Sequence, residues 1–380
     1  MTKTFMTLRF LSKGVDLGRR SSEAVRAAFA FWGLVLLGAE ACVIPGCTTT
    51  KSSTARPMME PAPVASVSRE AGNSTEHEVP PSPSVAVNIG ATVPSNGTAV
   101  TPESVKCPVR ERTDLGVPCG DLHCLEFANE RSAFEHLLLL EPRVLGIGES
   151  HAPRGMEAVH SATRRFGELL LPSLCGRARS IVLELWLPRN DCGDKRVEQV
   201  KKAQEPVTRN QSKSNQDEYV TLGHVAKRLG IAPSALVPTC DEYQSILDSG
   251  PDRIYRMLEF VAQRTGERVI EELGKFADQK EGPVVIAYGG ALHNDAEPDH
   301  EHERYSYGPK LLAQTQGKYL ELDLIVPEFV KESDIWQRQP WYQAFRQSKG
   351  PTKPRLYQWG THSFALVFPS SPKQPDRPAR

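Results

Sequence analysis

The sequence lacks an excess of charge of either sign, because its 46 lysines and arginines balance its 46 aspartates and glutamates. A chain without net charge has no long-range attraction to nucleic acid or to an anionic membrane surface. We therefore expect no nucleic-acid partner. The sequence also lacks an internal repeat with a period of roughly 20–50 residues, which argues against solenoid and propeller architectures.

The apolar run near the N terminus is too short to cross a bilayer comfortably. It covers residues 27–39 and follows three arginines, whereas a membrane-spanning helix needs about 20 apolar residues. This pattern is typical of a secretory signal, with an uncleaved signal anchor and a buried helix as the alternatives. Ile44-Pro45-Gly46-Cys47 resembles a bacterial lipobox that would place a lipid on Cys47, and Ala39-Glu40-Ala41-Cys42 is a competing cleavage site.

Residues 1–47 are accordingly predicted to be a signal and lipobox region. The protein is then lipid-anchored to the bacterial cell envelope, or otherwise periplasmic or secreted. Residues 48–105 lack large apolar side chains and are rich in Ser, Thr and Pro, so they cannot bury enough surface to offset the entropy of ordering. They are predicted to form a disordered tether, and residues 371–380 a disordered tail. Residues 106–370 remain as the folded domain.

Cysteine is sparse, and its number is compatible with export. Six cysteines remain when Cys42 and Cys47 are set aside, and an even number in an oxidising compartment permits three disulfides with 15 possible connectivities. The alternative is a set of buried free thiols. The spacing of the six does not match the paired CxxC pattern of a structural zinc site. The six are Cys107, Cys119, Cys124, Cys175, Cys192 and Cys240.

Apolar runs alternate with segments of helical periodicity across the folded domain. This alternation predicts an α/β fold with a mostly parallel sheet, helices on both faces and a C-terminal hairpin at the sheet edge. The predicted strands are 143–148, 180–185, 234–238, 284–288 and 319–326, followed by a hairpin of 356–359 and 363–368. The predicted helices are 125–140, 153–171, 222–229, 252–279 and 309–316, with a polar loop and exposed helix over 190–218.

Four polar side chains fall at or near the carboxyl ends of the predicted strands. Glu149 and His151 follow the first strand, Glu184 closes the second, and His293 follows the third. Ligands bind beyond the carboxyl ends of the strands in open α/β sheets. A carboxylate inside the apolar run around Glu184 must face a polar pocket or a partner. The four residues are therefore the predicted site.

The residues at the end of the first strand allow three interpretations. Gly146-Ile147-Gly148 opens like a dinucleotide fingerprint, but His151 stands where the third glycine belongs, so this reading fails. Gly148-Glu149-Ser150-His151-Ala152 nearly matches a nucleophile elbow, yet a serine hydrolase of that type needs further sheet upstream. The third reading is a metal site, because two carboxylates and two imidazoles could hold Zn, Mn or Fe.

These motifs resemble the ChaN-like haem-binding uptake proteins, which belong with the Tiki and erythromycin-esterase proteins. The resemblance rests on Gly148-Glu149-Ser150-His151, Glu184, Gly289-Gly290-Ala291-Leu292-His293 and Tyr307-Gly308-Pro309-Lys310-Leu311-Leu312, and it covers roughly residues 130–330. Members include lipoproteins that bind haem, metal-dependent peptidases and esterases that open macrolides. The resemblance implies a fold and a shared site at Glu149, His151, Glu184 and His293, without choosing one reaction.

Three functions are compatible with this pattern. The leading expectation is an exported lipoprotein that binds haem or a divalent metal ion, with His151, His293, Tyr305 and Tyr307 as candidates for contacting haem. The first alternative is a hydrolase, an esterase or peptidase, in which the four site residues either hold a metal that activates water or work as His/Glu acid–base groups. The second alternative is a non-catalytic envelope module that contacts protein partners of unknown identity.

Three further groups of polar residues are weaker candidates. Glu157, His160 and Arg164 share one stripe of the helix predicted after the first strand, so they either face the pocket or form a solvated face. The loop 299–303 carries a His-x-His pair that could bind a metal. Glu321 and Asp323 alternate with leucines and are expected on the solvent face of a strand.

Overall fold

The strands whose carboxyl ends carry the predicted site residues all belong to one mixed sheet. The computed structural model describes residues 107, 114–277, 279, 282–330, 334–348 and 350–372. Within them the strands are β1 Val117–Pro118, β2 Leu125–Glu126, β3 Val144–Glu149, β4 Ala178–Trp186, β5 Ala232–Leu236, β6 Val284–Gly290, β7 Tyr319–Ile325, β8 Arg355–Gln358 and β9 Ser363–Val367. Their order across the sheet is β1-β2-β8-β9-β7-β3-β6-β4-β5.

Helices connect most of these strands. They are α1 Glu130–Leu137, α2 Ala162–Arg165, α3 Asp194–Thr208, α4 Asn215–Arg228, α5 Cys240–Asp248, α6 Arg253–Gly274, α7 Gly308–Gln314, α8 Asp334–Arg338 and α9 Tyr342–Gln347. A π-helical turn over 166–170 and a short 3₁₀ turn over 171–174 continue α2. Within the described residues, no helix is long and apolar enough to span a membrane.

The central strands are parallel and buried on both faces, as the sequence predicts. Every pair of neighbouring strands from β9 to β5 is parallel, in the order β9-β7-β3-β6-β4-β5. Along β3, Leu145 and Ile147 join a core under α1, α2 and α4, whereas Val144 joins a second core under α6 and α7. Apolar side chains that alternate between two cores produce a continuous apolar run in the sequence. The predicted α/β fold with helices on both faces is confirmed.

The C-terminal hairpin forms, and the sheet continues beyond it. β8 and β9 pair antiparallel, while β9 also pairs parallel with β7. Outside β8 lie the two-residue strands β2 and β1. Because Leu125 and Glu126 pair with β8, the helix expected over 125–140 begins only at Glu130, where the Asn129 side chain accepts a hydrogen bond from the Ser132 amide (2.8 Å).

The helix expected over 153–171 also begins later than predicted. Pro153 forms an isolated antiparallel bridge with Gln211, and the chain turns until Ser161 caps α2 by accepting a hydrogen bond from the Arg164 amide (3.0 Å). The polar segment 190–218 contains the exposed helix α3 and a loop over 209–214, as expected. The helix predicted over 222–229 begins earlier, at Asn215, so its first turn also lies in this segment. Long-range pairing, which periodicity does not report, sets these boundaries.

The six cysteines form three disulfides, and this pairing is one of the fifteen connectivities that the sequence left open. They are Cys107–Cys175, Cys119–Cys124 and Cys192–Cys240. The third joins the turn before α3 to the first residue of α5. Predictions for residues 1–47, for Cys47 and for 48–105 lie outside the described residues. Ser371, at the start of the predicted tail, accepts a hydrogen bond from Arg165 (3.0 Å), so order extends at least one residue past 370.

Candidate functional site

The sheet order brings three of the predicted strand ends together. β6 lies between β3 and β4, and its register sets Gly290 opposite Glu149 and Tyr288 opposite Leu183. Parallel strands end at the same edge of a sheet. Glu149, Glu184 and the loop that carries His293 therefore lie at one edge, as the sequence predicts.

Glu149 and His151 form the shortest polar pair of the site. The Glu149 carboxylate is 2% exposed, and its Oε1 lies 2.6 Å from Nδ1 of His151. The same oxygen accepts a hydrogen bond from the hydroxyl of Tyr219 (3.1 Å). A carboxylate that accepts the Nδ1 proton selects the imidazole tautomer whose lone pair is on Nε2. The pair therefore orients His151 as a base.

Electrostatics at this pair favours a charged imidazole. Burial disfavours the charged form of His151, but the charge and hydrogen bond of Glu149, with the charge of Glu184, outweigh burial and raise the pKa of His151. Burial and the two carboxylates raise the pKa of Tyr219 well above its usual value. Tyr219 therefore remains protonated and donates to Glu149 throughout the range in which His151 titrates.

Glu184 is held by the backbone of β6. Its Oε2 accepts a hydrogen bond from the Gly290 amide (2.7 Å), and the carboxylate packs so closely on Gly289 that a Cβ there would overlap Oε2. Both Oε2 of Glu184 and Nε2 of His151 lie 3.6 Å from the position that a Gly290 Cβ would occupy. The two glycines thus allow carboxylate and imidazole to converge over the strand end.

His293 lies behind Glu184 and is 1% exposed. Its Nδ1 lies 2.8 Å from the carbonyl oxygen of Tyr305, which leaves Nε2 as the lone-pair nitrogen. Nε2 has no hydrogen-bond partner among the described residues and lies 3.8 Å from Oε1 of Glu184. The loop after β6 is fixed by Asn294, whose amide donates to the Gly146 carbonyl (3.2 Å) and to Asp323 (3.1 Å).

The two tyrosines proposed as haem contacts are buried. Burial and then the charge of Glu184 raise the pKa of Tyr307 well above its usual value, so its phenol lies near the site. Tyr305 stacks on Tyr255 with ring centroids 6.2 Å apart, under the guanidinium of Arg304. Tyr307 belongs to the core below α6 and packs edge-on against Tyr319. Tyr305 contributes to the site through its carbonyl, which orients His293, and the backbone amide of Tyr307 donates a hydrogen bond to the His293 carbonyl (2.9 Å).

A cavity of about 750 Å³ opens beside the Glu149–His151 pair. His151, Glu184 and Tyr219 line its inner end, and α3, α4 and α6 supply much of its remaining lining. Neither His293, Tyr305 nor Tyr307 is among the described residues that line it. Of the predicted site residues, His151 and Glu184 are therefore those that a ligand in the cavity would meet.

The four residues predicted to bind a metal ion do not converge on one point. Carboxylates and imidazoles are suitable ligands, but among the described residues no three of the four predicted ligands bring donor atoms within 4.8 Å of one another. Asp191, Cys192 and Cys240 do meet that distance, yet the two cysteines are joined in a disulfide and offer no thiolate. The side chains as arranged do not form a ready metal centre.

Two of the weaker candidates do not join the site. Glu157 and His160 lie in turns before α2 and are exposed, as is Arg164, which pairs with Glu168 (2.9 Å) on the helix surface. Of the two alternatives, the solvated face is confirmed, although Glu157 and His160 precede the helix and the three residues do not share a helix stripe. In the loop 299–303, His302 pairs with the exposed Asp299 (2.6 Å) and lies outside the cavity lining.

Glu321 and Asp323 are buried, and the expectation of a solvent face is wrong. They are 3% and 5% exposed, because this face of β7 is covered by the loop after β6. Glu321 accepts hydrogen bonds from the Ala296 amide (2.9 Å) and the Ser363 hydroxyl (2.7 Å). Burial and neighbouring carboxylates raise the pKa of Glu321 well above its usual value, and burial raises the pKa of Asp323 to about 7. The two residues brace the loop that carries His293.

Tyr219 and Asn294 belong to the site but were not predicted from the sequence. Tyr219 follows the polar segment 190–218, where a single aromatic gives no signal of its own. Asn294 directly follows His293, and its role depends on the carbonyl of Gly146, 148 residues away in sequence. Contacts of this range leave no local pattern.

Fold and site together define an α/β protein with an imidazole–carboxylate site at the carboxyl edge of its sheet. Comparison with protein-family models and with curated proteins gives no match. Among solved structures, the chain is similar to the type III effector HopBA1 at 10% identity and a TM-score of 0.33, over 64% of this chain and 95% of that one. A likeness at this level carries no argument about function.

Proposed function

We propose that the protein is a hydrolase in which His151 acts as a general base on carboxylic esters. The observation that supports this most is the 2.6 Å contact between Nδ1 of His151 and the buried carboxylate of Glu149. An imidazole oriented by a buried carboxylate, at the inner end of a cavity, is the arrangement that general-base catalysis needs.

The proposed reaction balances with water as the only co-reactant. Nε2 of His151 removes a proton from water as the water oxygen bonds to the ester carbonyl carbon. When the bond from that carbon to the alcohol oxygen breaks, the imidazolium returns the proton to the leaving alkoxide. The products are a carboxylic acid and an alcohol. Glu149 holds the ring and stabilises the imidazolium that forms between the two steps.

The roles of the other residues follow from their contacts. Tyr219 donates to Glu149 and keeps its carboxylate facing His151. Glu184 is anchored by the Gly290 amide, and its charge favours protonated His151. Tyr219 and Glu184 are positioning residues, and His151 is the catalytic residue of this proposal.

The test uses a panel of 4-nitrophenyl esters and fluorogenic peptides. The wild-type chain is expected to hydrolyse at least one ester, and His151→Ala to lower kcat/KM by about 10²- to 10⁴-fold, the usual contribution of a positioned base. His160→Ala is the matched control, because His160 is exposed and outside the cavity lining. Equal loss in both variants, or no hydrolysis by the wild type, contradicts the proposal.

Haem binding is the second candidate, supported by the cavity itself. An imidazole is a common axial ligand of haem iron, and His151 lines a cavity of about 750 Å³ beside Trp186 and Met257. Titration with haemin is expected to shift the Soret band in the wild type and not in His151→Ala. An unchanged spectrum at micromolar haemin excludes this candidate and leaves the hydrolase proposal standing.

A further inference from the structure

The cavity beside His151 carries an excess of positive charge. Four basic residues and two carboxylates, Glu184 and Glu205, line it. Among the described residues, none of the four forms an ion pair with a carboxylate, although the charge of Arg154 interacts with that of Glu157. All four side chains are exposed. Unpaired cations at a concave surface focus a positive potential there. The four are Arg154, Lys201, Arg209 and Lys213.

Backbone pairing brings together the two segments that carry three of these cations, one of which also carries His151. The Arg154 amide donates to the Asn210 carbonyl (2.7 Å), and the Ser212 amide donates to the Ala152 carbonyl (2.7 Å). Arg209 and Lys213 flank the paired residues 210–212. Since Arg154 follows His151 by three residues, its backbone is within about 10 Å of that of His151, the reach of an extended chain.

Another part of the cavity is apolar. Trp186, Tyr243, Met257, Leu258 and Val261 line it, and the ring of Trp186 packs edge-on against Phe260 with centroids 4.6 Å apart. α3 supplies Val197 and Val200 to the same lining. Apolar side chains together with cations match a ligand that has an apolar body and an anionic group.

We infer that this cavity binds amphipathic anions, and that the preferred substrate is an ester whose apolar body carries an acidic group. The apolar body lies against Trp186 and Met257, and the anionic group meets Lys201 and Arg209 among the cations of the lining. The reaction part of this inference rests on the proposed hydrolase function. The binding part does not, because it depends only on the cavity lining.

Binding is tested with two fluorescent probes of similar shape and different charge. They are the anionic 1-anilinonaphthalene-8-sulfonate and the neutral N-phenyl-1-naphthylamine, titrated against the full chain. The sulfonate is expected to bind more tightly than the neutral probe and to lose affinity as salt rises. The double variant Lys201→Gln, Arg209→Gln is expected to weaken the sulfonate about five- to tenfold, and the neutral probe by much less.

The chain offers a matched control one residue away. Lys202 neighbours Lys201 on α3, is exposed, and is outside the cavity lining. Lys202→Gln is expected to leave both probe affinities unchanged. Equal affinities for the two probes in the wild type, or equal losses of sulfonate binding in Lys202→Gln and the double variant, would overturn the inference.

Catalysis provides the second measurement. The wild type is expected to cleave mono-4-nitrophenyl glutarate with a kcat/KM at least fivefold above that for 4-nitrophenyl pentanoate, and the double variant to reduce this ratio through KM. Faster cleavage of the neutral ester overturns the substrate class. If neither ester is cleaved while the probes behave as expected, the proposed hydrolase function fails and the anion-binding cavity stands.

Discussion

At the scale of single residues, the chemistry of the site depends on how Glu149 controls His151. Burial opposes a charged imidazole, and the Glu149 carboxylate more than offsets it by charge and by a 2.6 Å hydrogen bond. The same carboxylate selects the tautomer. A base held in this way is active only when it is neutral, so its pKa sets the acidic limb of the pH–rate profile.

Replacing Glu149 by glutamine separates its effect on the pKa of His151 from its effect on the tautomer. The amide oxygen can still accept the Nδ1 proton, but the negative charge is lost, so the pKa of His151 falls. We expect the acidic limb of log kcat/KM to move to lower pH, and the plateau to drop by roughly a hundredfold or more because the imidazolium is no longer stabilised. The profile is measured from pH 5 to pH 9.

A variant outside the site provides the comparison. Glu168→Gln removes an exposed carboxylate that forms an ion pair with Arg164, and we expect its profile to match the wild type. A Glu149→Gln profile with an unmoved limb would show that this carboxylate does not set the pKa of the catalytic base.

At the scale of elements, the end of β6 decides where Glu184 lies. Gly289 and Gly290 are the last two residues of the strand. The Glu184 carboxylate packs onto Gly289 and accepts a hydrogen bond from the Gly290 amide. The register between the parallel strands β4 and β6 brings Glu184 to these two glycines, which are more than 100 residues away in sequence. A side chain at Gly289 therefore changes the site without touching His151.

Gly289→Ala is expected to displace the Glu184 carboxylate, because the new Cβ would overlap Oε2. We expect a loss of about 1–3 kcal/mol in the free energy of unfolding from overpacking, and a fall in kcat/KM. Gly274→Ala is the control, since a Cβ there meets open space at the end of α6; it should be neutral or stabilising by up to about 1 kcal/mol. Urea denaturation and ester kinetics measure both variants, and similar stabilities would contradict the steric argument.

At the scale of the whole molecule, the buried carboxyls of β7 make stability depend on pH. Burial raises the pKa of Asp323 to about 7, from 3.8 for the unperturbed group. The folded chain therefore binds more protons at this group than the unfolded chain between these two values. Its contribution to the free energy of unfolding decreases as pH rises from about 4 to about 7, and the full destabilisation remains above that range.

Asp323→Asn removes this titration and keeps an acceptor for the Asn294 amide. We expect the variant to match the wild type near pH 4 and to be more stable at pH 8, by roughly 4 kcal/mol at most on the scale of 1.36 kcal/mol per pKa unit. Urea denaturation at both pH values measures the difference. Glu198→Gln, an exposed change on α3, should have no effect, and a less stable Asp323→Asn at pH 8 would reverse the argument.

The sequence by itself determined the sheet and the edge at which the site lies. Buried parallel strands need apolar residues on both faces, so β3, β4 and β6 are continuous apolar runs in the sequence. Polar residues that interrupt or directly follow such runs are costly unless they face a pocket or a partner. Glu149, His151, Glu184 and His293 could therefore be identified locally.

Tertiary structure alone decided which polar residues work together. Glu321 and Asp323 alternate with leucines like the wet face of a strand, and only the loop after β6 buries them. Tyr219 donates a hydrogen bond to Glu149, 70 residues away in sequence. The pairing of 152–154 with 210–212 shortens a predicted helix and brings Arg209 and Lys213 to the segment that follows His151. Local periodicity shows which face of an element is apolar. Which polar residues become buried together depends on contacts between segments far apart in the chain.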